Sequence, residues 1–227
     1  MIPLSDRNPS RTIPIVNYVL IAANILVFFW ELSLGTDIKR DLFLVGFVPA
    51  PFWIAPFYPV NLIPILISMY LHGGWLHLGG NMLYLWIFGD NIEDRLGHFK
   101  YAIFYLLCGF IATLTHAVMA AGSRLPSIGA SGAIAGVLGA YILLFPRAQV
   151  TTLIPIFVFI TIREIPAVIV LGLWFVLQLF VGVASVGIPE GQDTGGVAYF
   201  AHIGGFVSGM ILVVLMGGKR RSVAASP

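Results

Sequence analysis

The most constraining feature of this sequence is its long stretches without charged residues. Only 10% of the 227 residues are Asp, Glu, Lys or Arg, whereas soluble domains carry about 25%. With 59% hydrophobic residues, the chain has too little polar surface to cover a core in water. Seven uncharged stretches are long enough to consider as membrane spans: 12–30, 42–89, 101–123, 125–146, 148–162, 165–189 and 194–218. These features exclude a soluble globular protein and predict a protein embedded in a bilayer.

Six of the stretches predict spanning helices, because a span needs about 20 apolar residues. The stretch 148–162 is short, contains Pro155 and is rich in β-branched residues, so it predicts a loop or hairpin. Prolines between Pro49 and Pro64 should break regular helix in the first half of 42–89. The predicted helices are 14–34, 73–90, 101–121, 128–146, 165–186 and 197–216. The predicted fold class is therefore all-α, a polytopic membrane protein with a six-helix transmembrane bundle.

The positive charges predict the orientation of this bundle. If both termini share one side, nine Lys and Arg residues lie there and three lie on the other side, namely Lys39, Arg40 and Arg124. The side richer in positive charge is normally cytoplasmic. We therefore expect a cytoplasmic segment 1–13, a transmembrane domain 14–217 and a basic cytoplasmic tail 218–227. The compact six-helix form and the absence of a cleavable signal or transit peptide predict a multi-pass protein of the cell membrane.

Polar residues inside the predicted spans are candidates for chemistry, because such groups are costly in lipid. Asn81, Ser131 and His202 each lie a few residues after the outer end of a helix, and the three helices run in the same direction. With a rise of 1.5 Å per residue, all three lie about 5–10 Å below the outer interface. The helices of Ser131 and His202 both carry small residues spaced by four, Gly132/Gly136 and Gly205/Gly209. This spacing favours close helix approach, so we expect Ser131 and His202 to meet.

A serine beside a histidine can act as a nucleophile, because the imidazole can remove the hydroxyl proton near neutral pH. The attack also needs donors for the oxyanion. His77 and Asn81 share a helix face, and the Ser131 N–H near a helix start is a further donor. A glycine-flanked serine is more often a packing residue, and a lone intramembrane histidine is often structural. The common depth of the three residues is what favours chemistry.

Four motifs resemble those of one known family. They are His72–Asn81 (HGGWLHLGGN), Phe88–Gly97 (FGDNIEDRLG), Gly129–Ala133 (GASGA) and Ala201–Gly205 (AHIGG). In this order and on these helices they resemble the rhomboid family of intramembrane serine proteases, over about residues 61–210.

The resemblance implies a serine endopeptidase that hydrolyses peptide bonds in or next to transmembrane segments of membrane protein substrates. By this resemblance Ser131 is the nucleophile, His202 is the general base, and Asn81 and His77 line the oxyanion hole. The residues show no zinc motif and no nucleic-acid signature, so no cofactor, metal or nucleic acid is expected. The partners implied are transmembrane substrates and the lipid bilayer. No Asp or Glu lies in 42–89, 101–123, 125–146 or 194–218, so a Ser–His dyad without a third acid is expected.

Two positions depart from the family pattern. Residues 35–60 contain no Trp-Arg pair, although many relatives carry one between the first two helices. Some relatives have a tyrosine one turn after the nucleophile that packs on the base, but here that position is Ala135. Support for the His202 ring must therefore come from elsewhere in this chain.

Several further residues have alternative interpretations. We expect Glu93 and Arg95 to anchor the corner between the second and third helices, and His72 to be an exposed loop histidine. Family analogy makes the fifth helix, with Gly172 and Gln178, a candidate gate for substrate entry. His116 is expected at a similar depth to the proposed dyad, so depth alone does not distinguish it from His202.

Three other functions compete with proteolysis. Embedded histidines could relay protons in a transporter, although no inverted repeat is visible in the sequence. His77, His116 and His202 could form a metal site, but without carboxylate or thiolate support. A catalytically silent rhomboid-like protein could bind transmembrane helices without cutting them, although such a protein would be expected to lose the serine or the histidine.

Overall fold

The computed structural model describes residues 1–35, 45–56, 58–156, 159–186 and 197–218. Lys39, Arg40 and the basic tail after residue 218 lie outside the described residues. Within these ranges the helices are α1 (Ile15–Ser33), α2 (Pro49–Phe52), α3 (Pro59–Ser68), α4 (Trp75–Leu96), α5 (His98–Met119), α6 (Ser131–Leu144), α7 (Ala167–Ala184) and α8 (Tyr199–Leu215). The strands are β1 (Ile2–Asp6), β2 (Gln149–Ile156) and β3 (Phe159–Pro166).

The protein is mostly helical, and three of the described helices are long and apolar enough to cross a membrane: α1, α5 and α7. The predicted count of six spans is not confirmed. Helix α6 has 14 residues, which gives it a length of about 21 Å, less than the roughly 30 Å hydrocarbon core. Helix α8 is also short, and α4 ends in a charged segment that includes Asp90 and Arg95.

The proline-rich segment is more helical than predicted. Pro49 and Pro59 each stand at the start of a helix, where a missing N–H costs nothing and the fixed φ suits the first turn. Pro64 lies inside α3, which nevertheless continues to Ser68. The expectation of broken helix throughout this segment was therefore wrong, because proline is compatible with the first turn of a helix.

A small antiparallel sheet lies beside the bundle, in the order β1-β2-β3. The hairpin predicted for 148–162 is confirmed, and its second strand continues to Pro166. Strand β1 was not predicted; it pairs with β2, with Ile2 opposite Leu153 and Asp6 opposite Val150. Because of this sheet, the fold is mostly helical and not purely α.

Helix α6 forms the centre of the core, and most of its residues are buried. Its backbone contacts that of α8: a Cβ added to Gly205 would lie 2.0 Å from the Gly132 carbonyl oxygen, and one added to Gly209 would lie 2.0 Å from that of Gly136. Only glycine permits such contact. The predicted close approach of these two helices is confirmed.

The corner between α4 and α5 is anchored by Glu93, whose side chain is fully buried. Its carboxylate accepts hydrogen bonds from the Val16 and Asn17 N–H groups at 2.9 and 2.7 Å, and His98 Nδ1 lies 2.5 Å away. A carboxylate is favoured at a helix N-terminus, here that of α1. The Arg95 guanidinium lies over the Phe145 ring, 5.1 Å from its centroid. These contacts agree with the anchoring role expected for Glu93 and Arg95.

Candidate active site

The structure brings Ser131 and His202 into hydrogen-bond contact. Ser131 is the first residue of α6, and His202 lies in the first turn of α8. His202 Nε2 is 2.7 Å from Ser131 Oγ. The glycine contacts between the two helices begin within three residues of both side chains, which explains why the pair is so close. His202 is only 8% exposed, so the hydrogen bond is largely shielded from bulk solvent.

Helix α7 supplies the contacts of the His202 ring that Ala135 cannot make. Gln178 Oε1 is 2.7 Å from His202 Nδ1. The Trp174 ring lies one turn earlier on the same helix, with its centroid 5.8 Å from that of His202 and the planes 35° apart. From the sequence, Gln178 was expected only as part of a candidate gate. Its spacing of four from Trp174 was the available signal that both side chains face one partner.

The four predicted site residues line one open cavity of about 680 Å³. Ser131, His202, His77 and Asn81 contribute polar groups to its wall, while Trp174 and other apolar side chains supply much of the rest. A concave, mostly apolar site with a few converging polar groups is typical of substrate-binding pockets. The cavity is large enough to admit several residues of an extended peptide.

The His77 ring is oriented so that one N–H is free to donate. The Gly73 N–H donates to His77 Nδ1 at 3.3 Å, which leaves the proton of the neutral ring on Nε2. A Cβ added to Gly129 would lie 2.7 Å from that Nε2 and 3.6 Å from Ser131 Oγ. Gly129 also has a φ of +122°, which L side chains rarely adopt. The glycine therefore keeps open the space between His77 and the serine.

His72 is buried, which corrects the expectation of an exposed loop histidine. It is 2% exposed, and its backbone N–H donates to the Glu31 carboxylate at 3.1 and 3.3 Å. Its Nδ1 lies 3.1 Å from the Tyr70 carbonyl oxygen and must donate to it, so Nε2 accepts from Asn81 Nδ2 at 3.0 Å. Burial, followed by the neighbouring His77, lowers the pKa of His72 to about 4. A neutral His72 therefore fixes the amide orientation of Asn81 near neutral pH.

His116 does not belong to the described lining of this cavity. It lies on α5, and its Nδ1 is buried without a hydrogen-bond partner among the described residues. Across the same residues, no three His, Cys, Asp or Glu side chains are grouped closely enough to hold a metal ion. The metal site built from His77, His116 and His202 gains no geometric support.

Fold and site together define a helical membrane protein with a serine–histidine pair in an open, partly polar cavity. Residues 59–219 match the family described as "Rhomboid domain". The chain belongs to the rhomboid family. It is 31% identical over 199 residues to "Rhomboid protein 1, mitochondrial" of Saccharomyces cerevisiae, covering 86% of this chain and 51% of the relative. It is 32% identical over 154 residues to "Presenilin-associated rhomboid-like protein, mitochondrial" of Homo sapiens, covering 66% of this chain and 38% of the relative.

A plant relative is also similar. "RHOMBOID-like protein 4" of Arabidopsis thaliana is 32% identical over 148 residues, or 65% of this chain and 32% of the relative. The chain thus spans about half or less of the length of these relatives. The expectation of a plasma-membrane protein was wrong, because the yeast and human relatives are named mitochondrial. Charge asymmetry and span count indicate orientation in a bilayer, but they do not identify which membrane it is.

Proposed function

We propose that this protein is an intramembrane serine endopeptidase that hydrolyses peptide bonds in or next to transmembrane segments of other proteins. One observation carries the proposal: Ser131 Oγ lies 2.7 Å from His202 Nε2 at the wall of an open cavity. A serine in hydrogen-bond contact with an unprotonated imidazole nitrogen is the arrangement required for nucleophilic acyl transfer. Membership of the rhomboid family supports the same activity.

The reaction would proceed in two halves. His202 Nε2 takes the hydroxyl proton as Ser131 Oγ attacks the substrate carbonyl carbon, and the proton then passes to the leaving amine as the C–N bond breaks. A water molecule attacks the resulting acyl ester and loses a proton to His202 Nε2. As the ester bond breaks, this proton returns to Ser131 Oγ, so the enzyme is regenerated.

The oxyanion formed in each half would be stabilised by donors from two helices. Asn81 Nδ2 has a second N–H besides the one given to His72, and His77 carries its proton on Nε2. The Ser131 N–H belongs to the first turn of α6, where N–H groups have no partner within the helix. Removal of one such donor typically costs about 10²–10³-fold in kcat.

The membrane arrangement is also part of the proposal. Helices α4, α6 and α8 would cross together with α1, α5 and α7, which makes six spans within a transmembrane domain at 14–217. Segments 1–13 and 218–227 would flank this domain. The short helices would be accommodated by surrounding helices and by local bilayer thinning. The names of the relatives support a mitochondrial membrane.

The substrate would be a transmembrane helix that unwinds next to the cavity. In a regular helix the carbonyl groups are engaged in backbone hydrogen bonds, so the scissile carbonyl becomes accessible only after local unwinding. Small and helix-destabilising residues near the cut should therefore favour cleavage. Equal cleavage of a poly-Leu helix and a Gly-containing helix would argue against the unwinding step.

The proposal is tested by cleavage of a single-pass substrate in liposomes. Wild type, Ser131→Ala, His202→Ala and His116→Ala are compared, with the melting temperature measured for each. We expect cleavage by the wild type and by His116→Ala and its loss in the other two variants. Cleavage by Ser131→Ala at the wild-type rate would refute the assignment of the nucleophile. A wild type that binds transmembrane helices but cuts none would favour the silent binding protein.

A further inference from the structure

Both ring nitrogens of His202 have a hydrogen-bond partner, but only Nε2 takes part in the proposed proton transfers. Nε2 faces Ser131 Oγ and Nδ1 faces Gln178 Oε1, each at 2.7 Å. We propose that Gln178 is a positioning residue that holds the His202 proton on Nδ1, so that the dyad is competent only while α7 is docked against α8. This inference rests on the proposed protease function.

The argument begins with the tautomers of histidine. A neutral imidazole has one N–H and one lone pair, and a partner at one nitrogen decides which nitrogen keeps the proton. The amide oxygen of Gln178 can only accept, so the proton stays on Nδ1 and the Nε2 lone pair faces the serine. The other tautomer would direct an N–H at Ser131 Oγ, and His202 could not then remove the hydroxyl proton.

The same contact matters after proton transfer. His202 then carries a positive charge and an N–H on each nitrogen, and a hydrogen bond from a charged donor is stronger than one from a neutral donor. Gln178 therefore stabilises the protonated ring as well as the reactive tautomer. Among the described residues, the titratable side chains that act electrostatically on His202 are His77 on α4 and His116 on α5. The amide thus occupies the place that a carboxylate holds in a catalytic triad.

The location of Gln178 adds a second consequence. Ser131 and His202 lie on α6 and α8, whose backbones are in contact, but Gln178 lies on α7. The buried residues of α7 are only Ala167, Val170, Leu171 and Gly182, so this helix has a small interface with the bundle. A displacement of α7 would break the Gln178–His202 bond and leave the Ser131–His202 pair intact. The base is therefore supported by a helix with few buried residues.

The experiment compares kcat, KM and the pH profile of cleavage in proteoliposomes for wild type, Gln178→Leu, Gln178→Glu and Leu177→Ala. Leu177 is the matched control, because it is the adjacent residue on α7 and is 51% exposed. A transmembrane substrate and a short water-soluble peptide are both assayed, and Ser131→Ala fixes the background. Melting temperatures are measured in parallel.

We expect Gln178→Leu to lower kcat by about tenfold or more for both substrates with little change in KM, since the loss lies in the base. Gln178→Glu should retain cleavage and shift the acidic limb of its pH profile to higher pH, because a carboxylate favours the protonated ring. Leu177→Ala should behave like the wild type.

Wild-type kcat and pH profile in Gln178→Leu would overturn the inference. So would a change confined to KM for the transmembrane substrate, which would indicate a role in substrate entry alone. If Gln178→Leu does not fold, an unshifted pH profile in Gln178→Glu overturns it as well. These outcomes leave the proposed function intact, whereas a wild type without Ser131-dependent cleavage refutes the protease and this inference together.

Discussion

The contact between α6 and α8 makes a quantitative prediction for Gly205→Ala. The added Cβ would lie 2.0 Å from the Gly132 carbonyl oxygen, and contacts under 3.0 Å are essentially never observed for real Cβ atoms. The obstacle is backbone, so it cannot be relieved by a side-chain rotation. The two helices must separate locally by about 1 Å or more, since interiors are close-packed and cannot absorb the overlap.

This separation acts directly on the proposed dyad. Gly132 is adjacent to Ser131, and Gly205 is three residues from His202. A shift of about 1 Å would lengthen the 2.7 Å contact between His202 Nε2 and Ser131 Oγ beyond normal hydrogen-bond distance. Misplacement of this size costs about 10²-fold in rate. We therefore expect kcat to fall by about two orders of magnitude, with a lower melting temperature from the strained interface.

The assay is cleavage of a single-pass substrate in liposomes, with melting temperature measured on the same preparations. Gly79→Ala is the matched control, because a Cβ at this helical glycine would meet nothing within 4 Å. Alanine has the higher helix propensity, so the control should be neutral or slightly stabilising. Wild-type kcat in Gly205→Ala would refute the reasoning, since it would mean that the dyad does not depend on this helix contact.

Three further predictions concern groups outside the dyad. Burial, with a smaller contribution from a neighbouring carboxylate, raises the pKa of Asp6 to about 6 from 3.8, so its charged form costs stability as the pH rises through this window. Asp6→Asn, which keeps an acceptor for Tyr141, should therefore raise the melting temperature above pH 6 and leave it nearly unchanged near pH 4. An equal change in melting temperature at both pH values would contradict this. Glu93→Ala should lower the free energy of unfolding by about 1–3 kcal/mol, because buried donors lose their acceptor, whereas Glu93→Gln keeps one and should cost less; equal costs in urea titrations would argue against the capping role. His72→Phe should lower kcat with little change in KM, because the Asn81 amide loses the partner that fixes its orientation. An unchanged kcat would exclude this role of His72.

The sequence predicted those parts of the fold that depend on local pattern. Helices α1, α5 and α7 lie where uncharged apolar stretches of sufficient length occur, within a few residues at most ends. The contact between α6 and α8 could be predicted from the glycine pairs, because small residues spaced by four allow two helix backbones to approach closely. The serine and histidine could be selected because the sequence predicts one depth for both, on helices predicted to run in the same direction.

Other features could not be predicted because they depend on partners far along the chain. In the sequence, Gln178 is an ordinary polar residue in an apolar helix. Only the structure shows that its amide oxygen lies at hydrogen-bond distance from His202, 24 positions later. From the sequence, His72 looks like an exposed loop residue. In the structure it is buried, with its backbone N–H bonded to Glu31 and its ring bonded to Asn81. The short segment that forms β1 has no pattern of its own that identifies its partner strand.

Strand β1 also imposes an order on how the chain can assemble. It is made well before β2 and before Tyr141, which lies 135 positions after Asp6, so its contacts with them must wait until those segments have been synthesised. Until then its edge is unpaired and open to other strands. Because contacts between distant segments form slowly, closure of this sheet is expected to be a late step in folding. A nascent chain interrupted before residue 149 would contain β1 without its partner strand β2.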